Sequence, residues 1–317
     1  SNNTAVGTSA LAANTTGINN VALGALALDS NTTSSYNIAI GYGALTGAHT
    51  GGYTVAVGTN AGSANTSGTN GVFVGYHAGY LNTTGSSNVA VGTEALDANT
   101  TGATNIAVGN GALGANTTAS NNTAVGHVAL AANTTGDRNV ALGAYALDAN
   151  TTASGGTALG HNALSANTTG STNTGVGFHA LNVNTTGGTN VAVGGSALQA
   201  NTTASNNTAV GVSSLTANTT GHSNVAVGKS SMAFSTTGLE NVAVGMVTLD
   251  ANTTGDYNTA LGHAALSSAT TADNNTAVGR KALYLNTTGG ANVAVGSLAL
   301  NANTTASNNT AIGTSAL

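Results

Sequence analysis

Two short phrases alternate along the whole chain. In "NVAVG" (88–92) apolar and small residues alternate with a β-branched bias, and in "ALDAN" (95–99) apolar residues alternate again. Between them stand a glycine and an Asn-Thr-Thr-Gly stretch, both of which are turn chemistry. The pair recurs every 17 residues, with the glycine at 7, 24, 41, 58 and onward to 313, without an insertion or deletion. Seventeen residues are close to five helical turns, so the period alone does not exclude a helical repeat. The alternation within each phrase and an Asn-Thr-Thr-Gly or a close variant of it every 17 residues do, since that stretch would repeatedly break a helix.

Numbering the unit so that this glycine is fifth gives the consensus N-[TVI]-A-[VLI]-G-x-x-A-L-x-A-N-T-T-G-x-x. The pattern predicts an all-β protein, a parallel β-solenoid (β-roll) of about 18 coils of 17 residues. Each coil would hold two short strands and two turns, and stacking at roughly 4.8 Å would extend the array to about 90 Å. The array 1–317 reads as a single domain. Because it opens and closes in the same phase with no polar cap, it reads as a segment of a longer fibre.

Positions 2, 4, 9 and 11 are expected to point inward, so Val108, Val125 and Leu142 at position 4 and Leu113, Leu130 and Leu147 at position 9 form the core of three successive coils. Gly109, Gly126 and Gly143 mark a corner where φ is positive or two backbones approach closely. Asn105, Asn122 and Asn139 at position 1, and the asparagine at position 12, would stack into amide ladders. A single inserted residue would turn a strand over and break every ladder through it, which accounts for the constant length.

Position 3 is Ala in seventeen of nineteen copies and position 8 is Ala, Ser or Thr in all nineteen. If these residues face outward, their small size prepares the surface for a sister chain. Otherwise they fill a flat, tight core within one chain. The remaining letters, at positions 6, 7, 10, 16 and 17, vary freely and would carry any recognition.

Composition narrows the function. Charged residues make up 4% of the chain, there is no Cys, Pro or Trp, and only four residues are basic (Arg138, Lys229, Arg280, Lys281). No cationic face exists to neutralise phosphates, so nucleic acid is excluded as a partner. No apolar run approaches the roughly 20 residues of a membrane helix, so no membrane insertion is expected within this segment.

No set of residues forms a catalytic constellation, no cofactor is implied, and the chain does not read as an enzyme. Asp29, Asp97, Asp148 and Asp250 share position 10 and should project outward, coils apart. His127, His161 and His263 share position 6, and His77 and His179 share position 7. His161 and His179 fall in successive coils, within reach of a common metal, but no carboxylate recurs beside them. Asn-Thr-Thr is an N-glycosylation acceptor in form, and equally a turn that every coil needs. Its paired threonines invite comparison with ice-binding faces, against which stands their adjacency, since neighbours in an extended segment point to opposite sides.

The least regular stretch is 36–85. It holds Tyr36, Tyr42, Tyr53, Tyr76, His77 and Tyr80, which are the candidate ligand contacts. It also holds Phe73 in place of Ala, and Gly62 and Gly79 in place of Leu. One account is a binding patch for a glycan or protein. The other is local repacking, with Leu81 refilling the volume that Gly79 gives up.

The phrases "TNIAVG" (104–109), "SNVAVG" (223–228) and "YNIAIG" (36–41) resemble the head repeat of the YadA-like trimeric autotransporter adhesins. They are also similar to the Asn-Thr-Ala-Val-Gly repeats of phage tail-fibre-like proteins. The resemblance covers the whole chain but rests on one phrase, and the adhesin repeat is about 14 residues with no regular "ANTTG" segment. It implies a left-handed parallel β-roll, a homotrimer, and binding to a host-surface glycan or matrix protein. The expectation is therefore an extracellular fibre at a cell surface or on a virion, serving as shaft or head of an adhesin or tail fibre. The alternatives are a structural filament without a receptor and an ice-binding solenoid.

Overall fold

The computed structural model describes residues 2–317, which form two compact units that meet in sequence between Gly156 and Thr157. Both are parallel β-solenoids without a helix, and every 17-residue repeat contributes one three-residue strand. In the first unit nine strands run from β1 (Thr4–Val6) to β9 (Val140–Leu142). In the second, ten run from β10 (Thr157–Leu159) to β19 (Thr310–Ile312).

Within each unit, consecutive strands pair in parallel and in register, residue i opposite i + 17. Thus Ile106, Ala107 and Val108 face Thr123, Ala124 and Val125. Hydrogen bonds alternate up and down the stack: the Thr123 N–H donates to the Asn139 carbonyl and the Gly126 N–H to the Val108 carbonyl, each at 2.8 Å.

The second strand expected in "ALxAN" does not exist. Position 9 takes the left-handed conformation in every turn, with Leu113, Leu130 and Leu147 at φ of 53°, 54° and 52°. Positions 7 and 17 do the same. A leucine in that conformation costs about 1–2 kcal/mol, and complete burial of its side chain, worth about 1.5–3 kcal/mol, offsets it. The chain therefore bends at the leucine instead of extending through it.

The strand faces are the reverse of the expectation. Ala107, Ala124 and Ala141 at position 3 and Ala112, Ala129 and Ala146 at position 8 are fully buried with Leu113, Leu130 and Leu147. Val108 and Val125, expected inside, are half-buried on the outer face, and Leu142 is 43% exposed. Position 11 is also not core: Ala98 and Ala115 are half-buried. The interior of a turn is narrow because asparagines fill its two ends, so only a methyl group fits beside each leucine. The small alanines thus fill one chain's core, and an aliphatic row at position 4 runs along the outside of each unit.

The invariant glycine answers to both reasons proposed for it. Gly109, Gly126 and Gly143 have φ of 134–138°, and a Cβ on Gly109 would stand 2.3 Å from the carbonyl oxygen of Gly126. The ladders form as expected. The Asn122 N–H donates to Asn105 Oδ1 at 3.0 Å and the Asn139 N–H to Asn122 Oδ1 at 2.9 Å. At position 12, Asn116 Nδ2 donates to Asn99 Oδ1 at 2.9 Å and to the Ala119 carbonyl at 3.0 Å. Each buried amide therefore ties two turns together while closing its own.

Candidate functional site

The six candidate contact residues separate into three places. Tyr36 and Tyr53, at position 17 of successive turns, stack with ring centroids 5.0 Å apart and planes 4° apart. Tyr76, His77 and Tyr80 belong to a single turn on the other side of the strand. The His77 ring lies 3.9 Å from Tyr76 and 4.5 Å from Tyr80, each at 12°. Tyr42 is 55% exposed and, among the described residues, stacks on no other ring.

The replacements around these residues have a single cause. Phe73 points inward and is fully buried. A Cβ on Gly62 would lie 2.8 Å from its ring, one side chain added to Gly79 would lie 2.3 Å away, and Gly71, which replaces the ladder asparagine, is equally close at 2.8 Å. One phenyl ring thus takes the space of two leucines and an asparagine. Leu81, expected to refill that volume, is 44% exposed and does not.

A second substitution works the same way. Position 12 of the third turn is Ala48, and His49 turns inward in its place, fully buried. Its Nε2 lies 3.3 Å from Asn37 Oδ1, while Nδ1 and the neighbouring Asn31 Oδ1 have no partner. Burial pushes the imidazole down from 6.5 to about 4, only partly opposed by the nearby Asn65 backbone. Thr50 then donates to the Thr66 carbonyl at 3.0 Å, a bond that the preceding residue makes in other turns.

Sequence reasoning missed a ring cluster in the second unit. Phe178, 59% exposed, stacks on His179 at 3.9 Å and 12°, and His161 lies 5.8 Å from Phe178. His161 and His179, anticipated as neighbours, have centroids 6.2 Å apart. Among the described residues no three His, Cys, Asp or Glu side chains gather as a metal site, and there is no pocket.

Other expectations change. The Asn-Thr-Thr asparagines within the stack, such as Asn99, Asn116 and Asn133, are fully buried, so those folded turns do not offer them to a glycan. Position 16 is not a free letter when it is Ser or Asp: Ser120 Oγ accepts the Ala103 N–H at 3.0 Å, and Asp137 Oδ1 accepts the Ser120 N–H at 2.6 Å. Asp97 and Asp148 do not simply project into water. Burial raises both carboxyls above the usual range, and at Asp97 the nearby Glu94 adds to the rise.

No protein-family model matches the chain, and no curated protein matches it.

Proposed function

We propose that this chain is a non-enzymatic extracellular fibre segment, shaft or head of a surface adhesin or phage tail fibre, that mediates attachment. The observation that carries this reading is the division of each turn. Core and ladders are constant in most turns, and the outward positions 6, 7, 10, 11 and 17 hold the exposed aromatic and polar side chains at a fixed repeat. Such a scaffold multiplies weak contacts into avidity.

Self-association rests on a different feature from the alanines first considered. The outer row at position 4 is Val, Leu or Ile in all nineteen repeats. Leu23 and Leu261 are 46% exposed within it. An aliphatic row along each unit of a chain with 4% charged residues is the kind of surface that a partner covers. Sister chains carry the same row, so a homo-oligomer buries it symmetrically. The resemblance to adhesin heads supports three chains, left-handed winding and a host-surface glycan or matrix protein as ligand.

The test is binding of the folded chain to intact cells and to arrayed glycans and matrix proteins. Saturable binding, lost when the chain is unfolded, supports attachment. Absence of binding by the folded oligomer favours the structural filament instead.

A further inference from the structure

At position 7, asparagine occurs only at Asn60 and Asn162, and histidine only at His77 and His179. Both times the histidine stands one turn after the asparagine and follows an aromatic residue at position 6, Tyr76 or Phe178. The structure gives the two groups one geometry. Asn60 Nδ2 lies 3.4 Å from His77 Nε2, and Asn162 Nδ2 lies 3.2 Å from His179 Nε2. Each imidazole stacks on its aromatic neighbour at 3.9 Å and 12°. Tyr76 and Phe178 remain 49% and 59% exposed.

The fold does not require these residues. Position 6 is Ala at Ala25 and Ala144, and position 7 is Ser at Ser196 and Ser213, in turns with the same backbone. The surroundings also differ between the groups. The next turn carries Glu94 and Asp97 in one, and Ser196 and Gln199 at the same positions in the other. The shared feature is therefore the triad of amide, imidazole and exposed ring.

We propose that Asn60–Tyr76–His77 and Asn162–Phe178–His179 are two copies of one binding site for a neutral pyranose unit of a surface polysaccharide. This identifies the ligand contact within the attachment reading above and rests on it. The C–H face of a pyranose is apolar and packs flat on an exposed aromatic ring, while its rim hydroxyls need both donors and acceptors. An imidazole and a carboxamide supply both. The amide contact to Nε2 and the ring stack hold each imidazole in one orientation, which lowers the entropy lost on binding. The ligand is neutral because Arg138, Lys229, Arg280 and Lys281 all lie outside these turns, so no cation answers an anionic sugar. A cationic ligand fits only the copy with Glu94 and Asp97, so charge is not the common recognition element.

The test uses the whole chain, labelled at its histidines, with cellotriose, maltotriose and chitotriose as soluble probes and the same sugars on a multivalent surface. The ring signals of His77 and His179 should shift on titration, and those of His222 and His263 should stay. Tyr76→Ala and Phe178→Ala should each weaken their own site about tenfold, and the double variant should weaken both responses by that factor and lower binding to the multivalent surface more steeply. Tyr257→Ser, at an exposed ring away from both groups, should change nothing. Circular dichroism verifies the fold of each variant.

If none of the sugars moves either histidine, or the double variant binds as the parent does, the proposal is overturned. If the double variant also retains binding to cells, attachment stands and its contact lies elsewhere. If the parent binds no cell or surface, the attachment reading itself fails.

Discussion

The turns from Asn88 to Asn139 and those from Tyr36 to Gly85 share a backbone plan but stabilise it differently. In the regular turns the inward alanine, leucine and ladder asparagine places hold their consensus residues, so within that run Ala, Leu and Asn stack on their like. In the irregular turns the interior is rebuilt in linked sets: Phe73 with Gly62, Gly71 and Gly79, and His49 with Ala48. What is held constant is the filled volume and the hydrogen bonding of a turn. The matched departures keep each turn filled.

The largest effect should come from the one position with no observed substitute. Gly126→Ala places a Cβ 2.5 Å from the next turn's carbonyl oxygen at φ +138° and should cost about 4 kcal/mol or more, read in chemical denaturation. The same loss cannot be rescued by changing a partner side chain, because the clash is with backbone.

Phe73→Ala should cost about 3–5 kcal/mol by opening a cavity between two turns. Unlike the glycine change, it should be largely restored by adding Gly62→Leu and Gly79→Leu, since φ is +58° and +61° at these positions, the range leucine adopts in the other turns. Those two changes alone, against an intact Phe73, should destabilise by overpacking. Additive behaviour of the three substitutions would sink the linked-set account.

The third contrast is acid sensitivity. His49 is neutral when folded and binds a proton near 6.5 when unfolded, so the unfolded state takes up more protons and stability falls as pH drops from about 6.5 to about 4. The loss should total about 3 kcal/mol. Ala48→Asn with His49→Thr restores the consensus ladder and should remove this component. An unchanged acid profile would show that the imidazole is not the source.

The smallest effect should be a gain. Ser235 replaces a ladder asparagine, and both its Oγ and the Asn218 Oδ1 below it lack partners. Ser235→Asn should join them and stabilise by about 1 kcal/mol. No gain in thermal unfolding would mean that the ladder contributes little at that position.

Much of this was legible in the letters. The period, the parallel stack, the glycine corner and the asparagine ladders follow from residue types whose conformational or hydrogen-bonding demands are strong and local. The strand polarity was not, because alternation assigns two faces without saying which is inside, and "VAV" reads equally well with valine in or out. The missing second strand was illegible for another reason: a left-handed residue is normally signalled by Gly or Asn, and here it is leucine. The Phe73 set was visible as three oddities but not as one, since only the stack brings position 9 of two turns against position 3. The pairing of Asn162 with His179 was present at a spacing of 17 and was passed over because no chemistry attached to asparagine.

The central claim is that uniform turns keep alanine inside and leave an aliphatic row outside for sister chains. Mass in solution under native conditions tests it most directly. The account predicts a multiple of the 30.1 kDa chain that falls to a single chain when Val108, Val125 and Leu142 are replaced by lysine. A folded parent chain that runs as a monomer at micromolar concentration contradicts it.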